Sequence, residues 1–281
     1  MRIVITGHKG QLGKSLWKLL EEGNNLLGLD IPEHDITEPK IIDTIVDFKP
    51  HLILHPAAYT NVDGCEEDPE TAYRVNVLGT WHIALAAQTT DSPMLYVSTN
   101  EVFPGDREIP YFEWDEPRPI NAYARSKLGG ERVVQSLLNK FYIVRTAWVF
   151  APGGNNFVSK ITRAAEKYGA LKVVDDEFGS PTYAPDLAEA IVKLTKSDMY
   201  GIYHFTNSGV CSRYEYAVEI LKLAGMENVP ITPIPSSQWK RLSTPPKRSI
   251  LANMAGASIG ITLRPWQEAL ADYFEKLEEG D

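Results

Sequence analysis

Cysteine is nearly absent from this 281-residue chain: only Cys65 and Cys211 occur, at no paired spacing. That excludes a disulfide framework and a cysteine-based metal site. Long apolar runs are missing too, and no window approaches the roughly 20 apolar residues of a membrane span. The N-terminal Met1-Arg2-Ile3-Val4-Ile5-Thr6-Gly7 leads straight into a motif and is not read as a secretory signal. Positive charge is in deficit: 28 Lys and Arg stand against 37 Asp and Glu, a formal net charge of −9. Binding a phosphate backbone needs the opposite balance, so nucleic acid is excluded as the main partner. One stretch, 228–267, lacks acid altogether yet holds Lys240, Arg241, Lys247, Arg248 and Arg264. In an acidic protein such an island can attract and ion-pair an anionic small molecule. A solvated basic loop, or a patch facing an acidic partner, explains it equally well.

What is present, 43% apolar and 23% charged residues, is the balance of a globular protein. The expectation is a soluble, cytoplasmic protein without internal repeats or low-complexity segments. Short apolar runs predict strands over 2–6, 25–30, 51–55, 94–98 and 142–146. Helical periodicity predicts helices over 11–20, 38–48, 67–88 (with a break near Val75 and Asn76) and 122–138. Five-residue strands alternating with longer helices imply crossover units, hence a parallel sheet covered on both faces. After Thr146 the rhythm changes: helices are expected over 157–168, 186–196 and 213–224, and a short strand over 171–174. The six prolines of 228–267 predict loops. The expected fold is α/β, a Rossmann-like doubly wound parallel sheet with a smaller C-terminal substrate-binding lobe. Residues 1–150, completed by about 184–207, form the dinucleotide-binding core; 151–183 and 208–281 form the lobe.

Three motifs carry chemistry. Gly7-His8-Lys9-Gly10-Gln11-Leu12-Gly13 lies between the first strand and the first helix. A pyrophosphate needs backbone N–H groups and the positive end of a helix, and Cβ atoms would block its approach. Asp30, ending the second strand, is placed to bond the adenosine ribose hydroxyls, which favours NADH; Lys9 argues for NADPH, and the choice stays open. Tyr123-Ala124-Arg125-Ser126-Lys127 puts a phenol and an ammonium on one helix face. A nearby cation favours the anionic phenol, and a tyrosine so tuned can protonate a carbonyl oxygen as hydride arrives. Ser98-Thr99-Asn100-Glu101 ends the fourth strand, where open parallel sheets bind ligands.

In this order the motifs resemble the extended short-chain dehydrogenase/reductases. Within them Ala57-Ala58-Tyr59-Thr60-Asn61-Val62-Asp63, Asn76-Val77-Leu78-Gly79-Thr80, Arg145-Thr146-Ala147-Trp148-Val149, Gly179-Ser180-Pro181-Thr182-Tyr183 and Arg264-Pro265-Trp266 resemble the dTDP-4-dehydrorhamnose reductase family along essentially the whole chain. The resemblance implies reduction of the 4-keto group of dTDP-4-dehydro-L-rhamnose by NADPH or NADH. Thr99, Tyr123 and Lys127 would be the catalytic trio. Gly7, Gly10, Gln11, Leu12, Gly13, Asp30, Asp35, Ile36, Ala57, Ala58, Tyr59, Asn76, Tyr123 and Lys127 would surround the cofactor. Thr99, Asn100 and Trp148, with Lys247 and Arg248, would meet the dTDP-sugar. The protein would be a monomer or homodimer with no nucleic-acid or membrane partner.

The chain departs from the family pattern at three places. Asn100 and Glu101 replace the usual Asp-Tyr, which predicts an altered sugar pocket. Pro245-Pro246 replaces an Arg-Pro, although Lys247 and Arg248 follow. Some members dimerise through a magnesium ion held partly by a glutamate of the first helix; here the position is Ser15, so no metal is expected. Two alternatives remain: a nucleotide-sugar dehydratase or epimerase, whose Thr-Asp-Glu motif is similar at Thr99 and Glu101, and a non-catalytic binding subunit like the regulatory beta subunit of methionine adenosyltransferase.

Overall fold

The computed structural model describes residues 1–278. Six strands form the central sheet: β1 (Arg2–Thr6), β2 (Asn25–Leu29), β3 (Leu52–His55), β4 (Met94–Thr99), β5 (Phe141–Thr146) and β6 (Gly201–His204). Their spatial order is β6-β5-β4-β3-β1-β2, and every neighbouring pair is parallel. Parallel neighbours require crossovers, and helices α1 (Gln11–Leu20), α2 (Lys40–Phe48), α3 (Thr80–Thr89), α4 (Ala122–Leu137) and α5 (Ala184–Thr195) lie in the connections.

Both faces of the sheet are dry. On one, Ile3, Ile5, Leu54, Leu95 and Val144 pack with Leu16 of α1 and with Leu187 and Ile191 of α5. On the other, Val4, Ile53, Met94, Tyr96 and Ile143 pack with Ile41 and Ile45 of α2, Ile83 of α3 and Val134 of α4. The period-two alternation from Ile3 to Ile5 therefore separates two cores, and the strands read as continuous apolar runs.

The chain runs from β1 outward to β2 and then crosses back to β3 on the other side of β1. The strand order thus reverses between β1 and β3, and in open parallel sheets ligands bind beyond the carboxyl ends of the strands at such a point. A third core lies away from the sheet, where Val158 and Ile161 of the helix Phe157–Tyr168, Tyr216 and Ile220 of Arg213–Leu223, and Leu270 and Tyr273 of Trp266–Glu278 meet Phe150.

Several elements differ from expectation. The region read as one broken helix over 67–88 is four pieces: Val62–Glu67, Pro69–Tyr73, a π-helical stretch Arg74–Gly79, and α3. Asn61 and Asp68 cap the first two by accepting from Gly64 N and Thr71 N. The proline-rich segment contains a strand, Ile231–Ile234, paired in parallel with Leu171–Val174. Pro233 is tolerated there because the sheet has only these two strands. The helix Trp266–Glu278 was not anticipated. No helix among the described residues is long and apolar enough to cross a membrane.

Candidate active site

The turn from β1 into α1 begins at Gly7, whose φ of +61° suits glycine, and reaches the helix at Gly10, its N-cap. No side chain caps α1, so the amides of its first turn have no side-chain acceptor and are open to an anion. A Cβ at Gly13 would sit 2.1 Å from the Gly7 carbonyl oxygen, so the third glycine allows helix and turn to touch. Leu12 is buried in the core, and Gln11 Oε1 accepts from Ala151 N at 3.0 Å and Asn156 Nδ2 at 2.8 Å, tying α1 to the segment beyond β5. Asp30 holds the turn: Oδ2 accepts from Lys9 N and Oδ1 from Ile31 N, both at 2.9 Å. Lys9 pairs with Glu33 at 2.9 Å.

Just beyond β3, Ala57 N donates to Thr6 Oγ1 at 3.3 Å, and Tyr59 is fixed by Asn76, which accepts from its N–H at 2.8 Å and donates to its carbonyl at 3.1 Å. Ala58 lies between them, half-buried. Asn76 also donates to Ser126 Oγ at 2.9 Å, so its amide joins this loop to α4 and is spent on protein partners. Asp35 accepts from Thr37 N at 2.8 Å, and Ile36 is buried beside Gly79. An uncapped helix start, a glycine turn and a pinned loop opposite it fit a dinucleotide. Gly7 to Gly13 would hold its pyrophosphate, and the 57–59 loop would flank the nicotinamide side.

Helix α4 lies over the end of β4. The Lys127 ammonium donates to the Val97 carbonyl at 2.7 Å and sits 4.1 Å from the centroid of the Tyr96 ring. One helical turn earlier lies Tyr123, whose phenol feels the Thr99 hydroxyl; that hydroxyl itself donates to Asn100 Oδ1 at 3.3 Å and accepts from Glu101 N at 3.2 Å. A step of four on the helix thus matches a step of two on the strand, about 6 Å each. Arg145 on β5 anchors the helix through Glu131, at 2.9 and 2.7 Å, and Ser98 adds a third bond to that carboxylate.

Burial pushes the Tyr123 phenol up, Glu101 pushes it further, and the neighbouring Thr99 hydroxyl opposes both. Burial draws the Lys127 ammonium down to about 7 against the pull of Glu131. The expected lowering of the phenol by Lys127 is therefore not what governs it: the ammonium is committed to Val97, and a carboxyl is the stronger neighbour.

That carboxyl belongs to Glu101, whose Oε2 accepts from Asn121 Nδ2 at 2.7 Å. Burial raises it, while Asn121, Arg213 and Arg241 lower it. Arg213, the first residue of its helix behind a Ser212–Glu215 capping box, stacks on Trp148 with its guanidinium 3.6 Å from the ring centroid. Trp148 itself takes a left-handed backbone, φ +49°. Asn100 is buried, and its amide donates to Ser249 Oγ at 2.5 Å and to the Ser249 carbonyl at 3.3 Å, so it ties β4 to the C-terminal segment.

Asn121 and Arg213 were not singled out in the sequence. Asn121 carried a legible signal, an N-cap residue ahead of a helical run, and it does accept from Ala124 N at 2.8 Å. For Arg213 only the helix start was legible; nothing local points to Trp148.

The basic island is not a free patch. Arg241 pairs with Glu177, Lys247 with Asp176 at 2.8 Å, Arg248 with Glu108 at 3.4 Å, and Arg264 with Asp186 and Asp272 at 2.9 and 2.6 Å. The acidic partner is the same chain. Lys247 and Arg248 line an open groove of about 340 Å³ with Asp106, Asp176 and Phe178, whose walls include neither Thr99 nor Tyr123.

Residues 1–279 match the family model described as RmlD substrate binding domain. Spore coat polysaccharide biosynthesis protein SpsK of Bacillus subtilis is 35% identical over 277 residues, 98% of this chain and 97% of that protein. The dTDP-4-dehydrorhamnose reductase of Aggregatibacter actinomycetemcomitans is 39% identical over 284 residues, 96% of this chain and 97% of that one. The crystal structure of dTDP-4-dehydrorhamnose reductase from Bacillus anthracis in complex with NADP is 38% identical and superposes with a TM-score of 0.94, covering 98% of this chain and 99% of that one. With a matching family model over nearly its whole length and relatives of this identity and coverage, the chain belongs to the RmlD family, that of the dTDP-4-dehydrorhamnose reductases.

Proposed function

We propose that the chain reduces the 4-keto group of dTDP-4-dehydro-L-rhamnose with NADPH or NADH, giving dTDP-L-rhamnose. The observation that carries the reading is Lys127 anchored on the Val97 carbonyl near the carboxyl end of β4, with Tyr123 one helical turn away on the same helix. The activity named for the relatives, and the NADP of the Bacillus anthracis structure, support it. Residues 1–150 with 184–207 would hold the cofactor, and 151–183 with 208–281 the sugar. The protein would act in the cytoplasm, as a monomer or homodimer.

The reduced nicotinamide supplies a hydride to the carbonyl carbon when bound. Tyr123 gives its proton to the carbonyl oxygen; burial and Glu101 keep the phenol protonated until then. Such a proton transfer contributes typically about 10²–10⁴-fold. Thr99 is the phenol's polar neighbour on β4, and Lys127, anchored on the Val97 carbonyl, would meet the ribose of a bound cofactor. Asp30 and the N-terminal amides of α1 would hold the adenosine ribose and pyrophosphate of that cofactor. For the dehydratase alternative, position 100 has no acid to protonate a leaving hydroxyl, and its amide is turned to Ser249.

Anaerobic mixing with dTDP-4-dehydrorhamnose and each reduced cofactor tests the reading. One equivalent of reduced nicotinamide should disappear per sugar, whereas a dehydratase or epimerase would leave its absorbance unchanged. Tyr123→Phe should cost at least about 10²-fold in kcat while its cofactor Kd stays within about twofold of wild type. Oxidation of neither cofactor by the wild-type protein would sink the assignment.

A further inference from the structure

By residue type alone, Asp30 and Lys9 point to different cofactors; the bonds they make decide between them. Four hydrogen bonds staple the glycine turn to the end of β2. Gly7 N donates to the Leu29 carbonyl at 2.7 Å, and Lys9 N to Asp30 Oδ2 at 2.9 Å. The Lys9 ammonium donates to Glu33 Oε2 at 2.9 Å and to the Ile31 carbonyl at 3.4 Å. A turn closed by His34 N, which donates to the Asp30 carbonyl at 2.8 Å, brings Glu33 back to this lysine. Lys9 therefore stands between two carboxylates, one bound by its backbone and one by its side chain. Its hydrogen bond holds the Glu33 carboxyl below the usual carboxylate range. Lys9 and Glu33 are both exposed and Asp30 is half-buried, so a ligand can reach all three.

In a sheet of this kind the end of the second strand meets the adenosine ribose, whose 2′ position is a hydroxyl in NADH and a phosphate in NADPH. Each Asp30 oxygen accepts one backbone N–H, from Lys9 and from Ile31, and keeps a lone pair to which a ribose hydroxyl can donate. A 2′-phosphate has no such proton to give; it needs a free cation, best an arginine fork. Residues 7–13 and 30–36 hold three acids, Asp30, Glu33 and Asp35, no arginine, and Lys9 as the one lysine. That lysine is already engaged by Glu33. A phosphate could draw the ammonium away from Glu33, because an exposed ion pair is weak. Asp30, fixed by two N–H groups, would still face it with like charge.

We propose that Asp30 and Glu33 make this chain select NADH over NADPH, Asp30 by accepting from the ribose hydroxyls and Glu33 by occupying the ammonium that a 2′-phosphate would need. The selection rests on the reading of the glycine turn as a dinucleotide site and narrows that reading to one cofactor. Lys9, the residue that argued for NADPH, is then a brace of the turn and not a phosphate ligand.

Calorimetric titration of the full chain with NADH and with NADPH, in the absence of any sugar, reads the selection directly. Wild type should bind NADH roughly 10-fold or more tightly than NADPH, since like charges brought together are costly. Glu33→Gln, an exposed change that leaves the core untouched, should tighten NADPH about three- to fivefold, the worth of one exposed charge, with NADH within about twofold of wild type. Asp30→Asn should weaken NADH roughly 10-fold and leave NADPH nearer its wild-type Kd, bringing the two constants together. Higher salt should narrow the wild-type ratio, because screening relieves the repulsion of the phosphate. Equal or tighter binding of NADPH by wild type, or a Glu33→Gln variant with an unchanged ratio, would overturn the selection. Neither result bears on turnover, so the reductase reading would survive it; a protein that prefers NADH yet reduces no keto sugar would sink that reading and keep the selection.

Discussion

Lys127 shows how much of a residue's chemistry is decided by its surroundings. Its ammonium is buried against the Val97 carbonyl and the Tyr96 ring, which draws its pKa from 10.5 to about 7. An unfolded chain keeps that proton up to about 10.5, whereas the folded one releases it near 7. Between these values the unfolded state binds more protons, so this lysine's contribution to stability rises with pH across the window; below about 7 the full cost of a buried cation is present. Lys127→Met removes the cost, so in urea unfolding the variant should gain more on wild type at pH 6 than at pH 10. Equal differences at the two pH values would show that no buried charge is involved. The Tyr123–Lys127 spacing was legible in the sequence because a step of four fixes a helix face. The tuning was not, because the rotamers and the neighbours from β4 decide it: Val97 takes the cation, and Glu101 acts on the phenol.

At the scale of elements, periodicity exposed the first five strands of the sheet, since each strand sits between two dry faces. It failed where an element is defined by a distant partner. The strand Ile231–Ile234 exists because Leu171–Val174 lies beside it, and a proline inside it reads as a breaker when that partner is unknown. The irregularity sensed near Val75 and Asn76 is real, but the helix widens into a π turn there rather than stopping. Such widenings gather at functional sites, and this one holds Asn76 against both Tyr59 backbone groups and Ser126 Oγ. Asn76→Ala would leave these buried groups unpaired. The expected cost is about 2–3 kcal/mol by urea denaturation, with cofactor Kd raised several-fold as the 57–59 loop loosens. A variant matching wild type in both measurements would show that other contacts position the loop.

At the scale of the whole molecule, Arg241, Lys247, Arg248 and Arg264 of the acid-free stretch pair with acids elsewhere in the chain. The segment 236–252 crosses the structure. On one side Ser236 and Lys247 bind Asp176, and Arg241 binds Glu177. On the other, Ser243 N and Oγ donate to Asp63 Oδ1 at 2.9 and 2.5 Å, Asn121 donates to the Thr244 carbonyl at 3.2 Å, and Asn100 donates to Ser249. Asn121 and Asn100 belong to the candidate site, so the strap and that site share their hydrogen bonds. Asp63 is the clean place to loosen the strap, because it touches Ser243 without contributing to the Thr99–Tyr123–Lys127 cluster. Asp63→Ala should let 239–246 open more often while the sheet and glycine turn stay closed, since local openings are governed by the few bonds that hold a segment. Trypsin should then cut after Lys240 and Arg241 several-fold faster than in wild type, read by mass spectrometry. The same variant should show a raised KM for the keto sugar at an unchanged cofactor Kd. Unchanged cleavage would mean that the bonds to Asp176, Glu177 and Asn121 hold the strap by themselves, and that the Asp63–Ser243 contact follows from its position instead of fixing it.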